Sequence, residues 1–187
     1  MAHGTATETA TSAWRLDPAH SSVEFSVKHM MMTTVRGRFK DVEATLTADE
    51  THPEGCCLEV TIQTASLDTG VADRDAHLRG PDFFDVSRYP TITFSSRRLE
   101  GEFAKEGDRF RIIGDLQIRD STIEVVLDCT FEGRGTDPWG KERAGFTARG
   151  EIDRRDWGLR WNQAIETGGV LVANKVRIEA EVQFVKE

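Results

Sequence analysis

No stretch of this 187-residue chain approaches the ~20 apolar residues that a membrane-spanning helix requires, so no integral membrane segment is expected. Positive charge is also short: 24 Lys and Arg stand against 32 Asp and Glu, a formal net charge of -8. Such a surface repels a phosphate backbone and offers no polybasic patch to anionic headgroups, so no nucleic-acid partner is expected. The three cysteines, Cys56, Cys57 and Cys129, are an odd set that fits reduced thiols. Cys56 and Cys57 are neighbours, so a strand would send them to opposite faces, and their spacing matches no zinc pattern. A Gly-rich phosphate loop and a dinucleotide fingerprint are both missing, so no cofactor is expected. Residues Met1 to Ala13 have neither the basic nor the apolar region of a secretory signal. They read as a disordered arm over 1–13 ahead of one domain over 14–187, and the expected location is cytoplasmic.

Long helical periods are absent too. What is present is alternation. Val23, Phe25 and Val27 interleave with Glu24, Ser26 and Lys28, and Val176, Ile178, Ala180, Val182 and Phe184 interleave with Arg177, Glu179, Glu181 and Gln183. This is the period of a strand with one wet and one dry face. It predicts about eight strands, near 14–28, 34–47, 57–65, 90–99, 109–119, 122–132, 143–154 and 175–185. The best helix candidate is short, Asp73 to Arg79, ahead of Gly80-Pro81; a turn of helix or an irregular loop is expected near 161–166. Without helices to cover them, the dry faces must bury one another in a sandwich or a barrel. Gly114, Ala148, Gly150 and Ala180 on the dry face let a sheet bend or leave room beneath it, which favours an all-β, eight-stranded antiparallel barrel.

One hairpin tests the pattern. A turn at Asp120-Ser121 places Ile118 opposite Ile123, Leu116 opposite Val125, Gly114 opposite Leu127, Ile112 opposite Cys129 and Phe110 opposite Phe131. Apolar residues then meet apolar residues or glycine, and a slip of one residue would scramble the match. On the wet face Ile113 and Val126 interrupt the charged residues as diagonal neighbours, a candidate dimer patch or two stray surface aliphatics.

Several segments carry more than a pattern. They are Trp14-Arg15-Leu16-Asp17-Pro18-Ala19-His20-Ser21, Arg74-Asp75-Ala76-His77-Leu78, Phe83-Phe84-Asp85-Val86 with Tyr89-Pro90, Gly114-Asp115-Leu116, and Asp153-Arg154-Arg155-Asp156-Trp157-Gly158. Together they resemble the YceI-like, polyisoprenoid-binding family across about Trp14 to Phe184. The resemblance implies a lipocalin-like barrel whose pore holds an isoprenoid lipid, a polyprenyl chain or quinone tail, and it suggests a homodimer. Asp120-Ser121 replaces the glycine and small aliphatic that the family usually has there, and the lipocalin Gly-x-Trp signature is missing, so the lipocalin likeness is architectural only.

A long apolar lumen is sufficient for such a ligand, because burial contributes ~25 cal/mol per Å². Candidate lining residues are Phe25, Val27, Phe39, Val60, Ile62, Phe94, Leu116, Val125, Leu127, Phe131, Phe146, Ile178 and Val182, all of which could equally fill a packed barrel. Met30 and Met32, from a run of three adaptable methionines, are added as mouth contacts. Trp157 and Trp161 are candidates for the rim, and Trp139 for a structural plug. Asp73 stands one helical turn before His77 and could orient its imidazole, while His20 could fasten the first strand. No serine or cysteine stands in a nucleophile motif beside them, so a non-enzymatic lipid carrier, store or sensor is expected. The alternatives are a packed structural or stress-related barrel acting through its outer surface, and a hydrolase or isomerase of an apolar substrate.

Overall fold

The computed structural model describes residues 11–49, 55–166 and 168–187. The strands are β1 Thr11–Leu16, β2 Ser22–His29, β3 Thr33–Phe39, β4 Val42–Asp49, β5 Cys57–Gln63, β6 Leu67–Asp68, β7 Thr91–Glu100, β8 Arg109–Ile118, β9 Ser121–Thr136, β10 Glu142–Asp153 and β11 Val172–Lys186. The helix is α1, Ala72–Arg79. A closed ring of eight runs β1-β4-β5-β7-β8-β9-β10-β11 and returns to β1, with every pairing antiparallel. β2, β3 and β6 continue the sheet from the other half of the long β11.

Two of the eight expected strands are kinked into pairs. The 14–28 strand breaks into β1 and β2 at Asp17-Pro18, where proline has no N–H to give a ladder. Asp17 caps the short 3-10 turn Pro18–His20 by accepting the Ala19 N–H at 3.0 Å. The 34–47 strand breaks into β3 and β4 at Lys40-Asp41; here the Asp41 N–H donates to the Ser66 hydroxyl and the Lys40 N–H to the Ser66 carbonyl. β3 therefore leaves the ring and pairs with β6, and the segment carrying α1 enters beside it. β1 starts at Thr11, so residues 11–13 of the expected arm are strand, paired on β4; residues 1–10 lie outside the described residues.

The β8–β9 hairpin corrects the expected register by two residues. Phe110 faces Cys129, Ile112 faces Leu127, Gly114 faces Val125 and Leu116 faces Ile123. The turn is Arg119-Asp120, with Arg119 at φ 57. A slip of two preserves which face each residue occupies, so alternation cannot detect it. A distant side chain marks the observed turn: the Tyr89 hydroxyl donates to Asp120 Oδ2 at 3.4 Å, and the Arg119 guanidinium lies 5.4 Å from the Tyr89 ring centre. Ile113 and Val126 are thus directly opposite, not diagonal.

α1 matches its expected position. It is anchored by the buried Asp75, whose Oδ1 accepts the Thr69 N–H and hydroxyl at 2.9 and 2.6 Å. Arg79 donates to the Ala65 and Leu67 carbonyls. Near 161–166 the chain is an irregular loop, closed by a bridge between Ala164 and Val170, while a 3-10 turn lies earlier at Arg154–Trp157. The inside of the barrel has two packed clusters, one toward each end. One gathers Trp14, Phe110, Phe131 and Phe184; the other gathers Phe83, Phe94, Leu116, Trp157 and Leu159.

Candidate functional site

Between these clusters the barrel is hollow. A cavity of about 560 Å³ runs through it, within the ~300–1,000 Å³ range of small-molecule sites. Its middle wall shows why alternation alone was ambiguous. Phe25, Val27, Val60, Ile62, Ile178 and Val182 face inward yet are only half-buried, because what they face is empty space. Apolar holes of ~150 Å³ already stay dry and take benzene, so a larger one of this lining has the volume and polarity that suit hydrocarbon.

One end is closed by aromatic rings. Phe103 from the β7–β8 connection stands 4.8 Å from Phe110 and 5.9 Å from both Phe131 and Phe146, and Phe131 and Phe146 are 5.4 Å apart. Outside this floor, Arg143 holds the connections together. It donates from Nη1 to Asp17 Oδ2 at 2.5 Å and to Gln183 Oε1 at 2.8 Å, and from Nε to Asp137 Oδ2 at 2.8 Å. The Arg143 guanidinium, then His20, lower the Asp17 carboxyl to about 2. Cys129 is buried in the same end, and burial pushes its thiol up to about 12, which removes it as a nucleophile near neutral pH.

The other end is the mouth. Asp73, Arg74 and His77 of α1 border it, opposite Trp161 and Leu171. His77 does not bond the expected Asp73; its Nε2 meets Asp82 Oδ2 at 2.8 Å. Its ring stands edge-on to Trp161 and Phe83, with centroids 4.7 and 5.1 Å away. Arg154 is buried beside them and acts as a staple. It donates to the carbonyls of Leu159 at 2.6 Å, Trp161 at 2.9 Å and Ala173 at 3.0 Å, tying the loop after β10 to the start of β11. Burial lowers the Arg154 guanidinium from its ordinary value, and the carbonyls supply the polar partners its burial demands.

Most of the expected lining is brought together here: Phe25, Val27, Phe39, Val60, Ile62, Phe94, Leu116, Val125, Leu127, Trp161, Ile178 and Val182 all border the cavity. Five expected residues do not. Phe131 and Phe146 belong to the aromatic floor. Trp157, only 2% exposed, donates its Nε1–H to the Leu116 carbonyl at 3.0 Å and plugs the wall near the mouth. Met30 and Met32 belong to the β2–β3 hairpin tip, where Met32 is 70% exposed. Trp139, expected as a plug, is 83% exposed on the β9–β10 turn. Ile113 is 1% exposed: it is covered on the outer face, where Arg98 and Val126 flank it across the neighbouring strands, and of the expected patch only Val126 is accessible. The long Arg98 stem can cover apolar surface while its head pairs with Glu124 and Glu100.

Alternation also missed lining residues that come from loops. Phe83, Phe84 and Leu159 enter the cavity from connections, where no period marks a face. The adjacent Phe83-Phe84 in a Gly/Pro/Asp setting was the available signal, since a polar loop gives two phenylalanines no reason to be there unless they are covered.

The family model for the YceI-like domain matches residues 14–184. The chain belongs to the YceI-like family. It is 40% identical to Protein YceI of Escherichia coli O157:H7 over 141 residues, 75% of this chain and 72% of that protein. The crystal structure of the Campylobacter jejuni YCEI protein superposes with a TM-score of 0.72 at 30% identity, covering 86% of this chain and 90% of that one. A polyisoprenoid binding domain from Saccharophagus degradans, implicated in plant cell wall breakdown, shares the fold at a TM-score of 0.63 and 13% identity, covering 93% and 98%. The YceI-like match thus spans nearly all of the barrel, both ends of the cavity and α1.

Proposed function

We propose that this YceI-like barrel binds a long isoprenoid lipid, a polyprenyl chain or quinone tail, as a carrier, store or sensor. The observation that supports this reading is the hollow lumen: an apolar cavity of about 560 Å³, closed at one end by phenylalanines and bordered at the other by Asp73, Arg74 and His77. The tail occupies the lumen and points at the aromatic floor. The polar head stays at the mouth, within reach of the α1 side chains. The name of the Saccharophagus degradans domain points to the same ligand class. The cavity counts against a barrel packed shut. A catalytic role finds little support, since no nucleophile motif accompanies the mouth histidine, which stands edge-on to two rings, and the buried thiol of Cys129 is kept protonated. In this reading the lipid is a ligand and no cofactor takes part. Organic extraction of purified protein, followed by lipid mass spectrometry, tests it. Co-purification of a polyprenyl or quinone species is expected. Absence of any lipid, together with no quenching of tryptophan fluorescence by a quinone analogue, refutes it.

A further inference from the structure

Six large hydrophobic side chains are exposed among the described residues: Met31, Met32, Val71, Val126, Trp139 and Val170. Four of them surround the mouth of the cavity. Met31 and Met32, 68% and 70% exposed, form the tip of the β2–β3 hairpin, just past the cavity-lining His29. Val71 precedes α1, whose Asp73 and Arg74 border the cavity, and Val170 adjoins the cavity-lining Leu171. The hairpin and the loop before β11 are joined, because the Met30 N–H donates to the Leu171 carbonyl at 2.8 Å. They make one rim.

The tip is also built in an unfavourable way for a plain turn. Met30 and Met31 both hold left-handed backbone, at φ 50 and 58. Glycine or asparagine adopts that conformation more readily than a long side chain does. Methionine there offers an adaptable apolar surface to something outside the chain. Lys28 beside the tip and Arg160 between the cavity-lining Leu159 and Trp161 are exposed and make no ion pair among the described residues, and the rim also carries the exposed carboxylates Asp73 and Glu166. With charges of both signs around it, the rim is marked by its exposed apolar tips, and such tips beside an apolar lumen suit a phospholipid interface, where they enter the acyl boundary.

We infer that the mouth rim, with Met31 and Met32 as its tip, docks on a phospholipid bilayer, so that a lipid passes between membrane and lumen without crossing water. The inference rests on the lipid-binding reading for its purpose but not for its test. The net charge of -8 means that docking works through apolar insertion, not through overall attraction to anionic headgroups.

Flotation of the full chain with vesicles of phosphatidylcholine alone, and with phosphatidylcholine containing phosphatidylglycerol, tests it. The wild type is expected to float with both, with partitioning that changes by less than about threefold between low and high salt. M31D/M32D is expected to lower partitioning at least about tenfold, because it puts charge where the acyl boundary would be. Aspartate tolerates left-handed backbone, so that variant keeps the turn. Trp139→Asp, at the opposite end, leaves flotation unchanged. Absence of wild-type flotation, flotation of M31D/M32D equal to the wild type, or dimers of the wild type that M31D/M32D abolishes in place of vesicle binding each overturns docking. Lipid extracted from the same preparations separates the two ideas. A lipid-filled protein that does not float refutes the docking alone, and a floating protein with no extractable lipid refutes the lumen ligand alone.

Discussion

Ala180→Phe distinguishes a hollow barrel from a filled one. Ala180 lies on the interior face of β11, opposite Ala148 on β10 and Val23 on β2, and all three border the cavity. A benzene-sized group needs about 150 Å³ of apolar space. That is a little over a quarter of the roughly 560 Å³ available. In a packed core, such an enlargement would cost about 1–3 kcal/mol through displaced neighbours. In this lumen the ring finds room. Full burial of a phenylalanine contributes about 1.5–3 kcal/mol, and loss of rotamer freedom takes back roughly 0.5–1 kcal/mol. The delipidated variant is therefore expected to match or exceed the delipidated wild type by about 1 kcal/mol, a rise in Tm of about 2–4 °C for a domain of this size. Retained lipid, measured by extraction and mass spectrometry, is expected to fall sharply in the same variant. Delipidation matters, because a bound ligand stabilises the wild type by itself. A fall in Tm of several degrees would mean that the lumen has no room for the ring. Unchanged lipid retention beside a normal Tm would place the ligand elsewhere.

Three further outcomes follow from individual contacts. Phe94→Glu introduces a carboxylate at a buried position facing the cavity, so lipid retention is expected to collapse, while Glu181→Ala on the outer face of β11 leaves it unchanged; quinone-analogue quenching of tryptophan fluorescence measures both. Trp157→Phe replaces the buried indole with a smaller ring and removes the donor to the Leu116 carbonyl, an expected loss of about 1–3 kcal/mol or more in urea unfolding. Asp17→Asn removes a carboxylate whose pKa is lowered to about 2 by Arg143 and His20. Its stabilisation is fully present above the unfolded aspartate pKa near 4 and is lost as pH falls through 2. The variant is expected to be about 1 kcal/mol less stable than the wild type at pH 7, with the gap closing between pH 4 and 2; a gap that persists at pH 2 contradicts the ion-pair account.

Alternation is a property of adjacent residues, and it placed side chains such as Phe25, Ile62 and Val182 on the inner face before any strand was paired. It also placed eight staves, because each apolar run had one dry side to bury. Every local signal is unchanged by a slip of two residues, however. That is why the β8–β9 register was legible only to its parity, and why Tyr89, thirty residues away along the chain from Arg119, was needed to mark the turn. For the same reason the sequence did not separate Phe146 in the aromatic floor from Phe94 on the cavity wall. Both are inward and aromatic, and only their height along the barrel differs.

By itself, then, the sequence determined the faces, the antiparallel barrel class and the family, through local periodicity and a nearly continuous set of motifs. The tertiary structure decided what the inside is. Whether a dry face is core or pore depends on how far the opposite wall stands, and that distance follows from the kinks at Asp17-Pro18 and Lys40-Asp41, the departure of β3 from the ring, and the loop phenylalanines that enter beside α1. No single segment carries that information, because an empty volume is a property of all its walls at once.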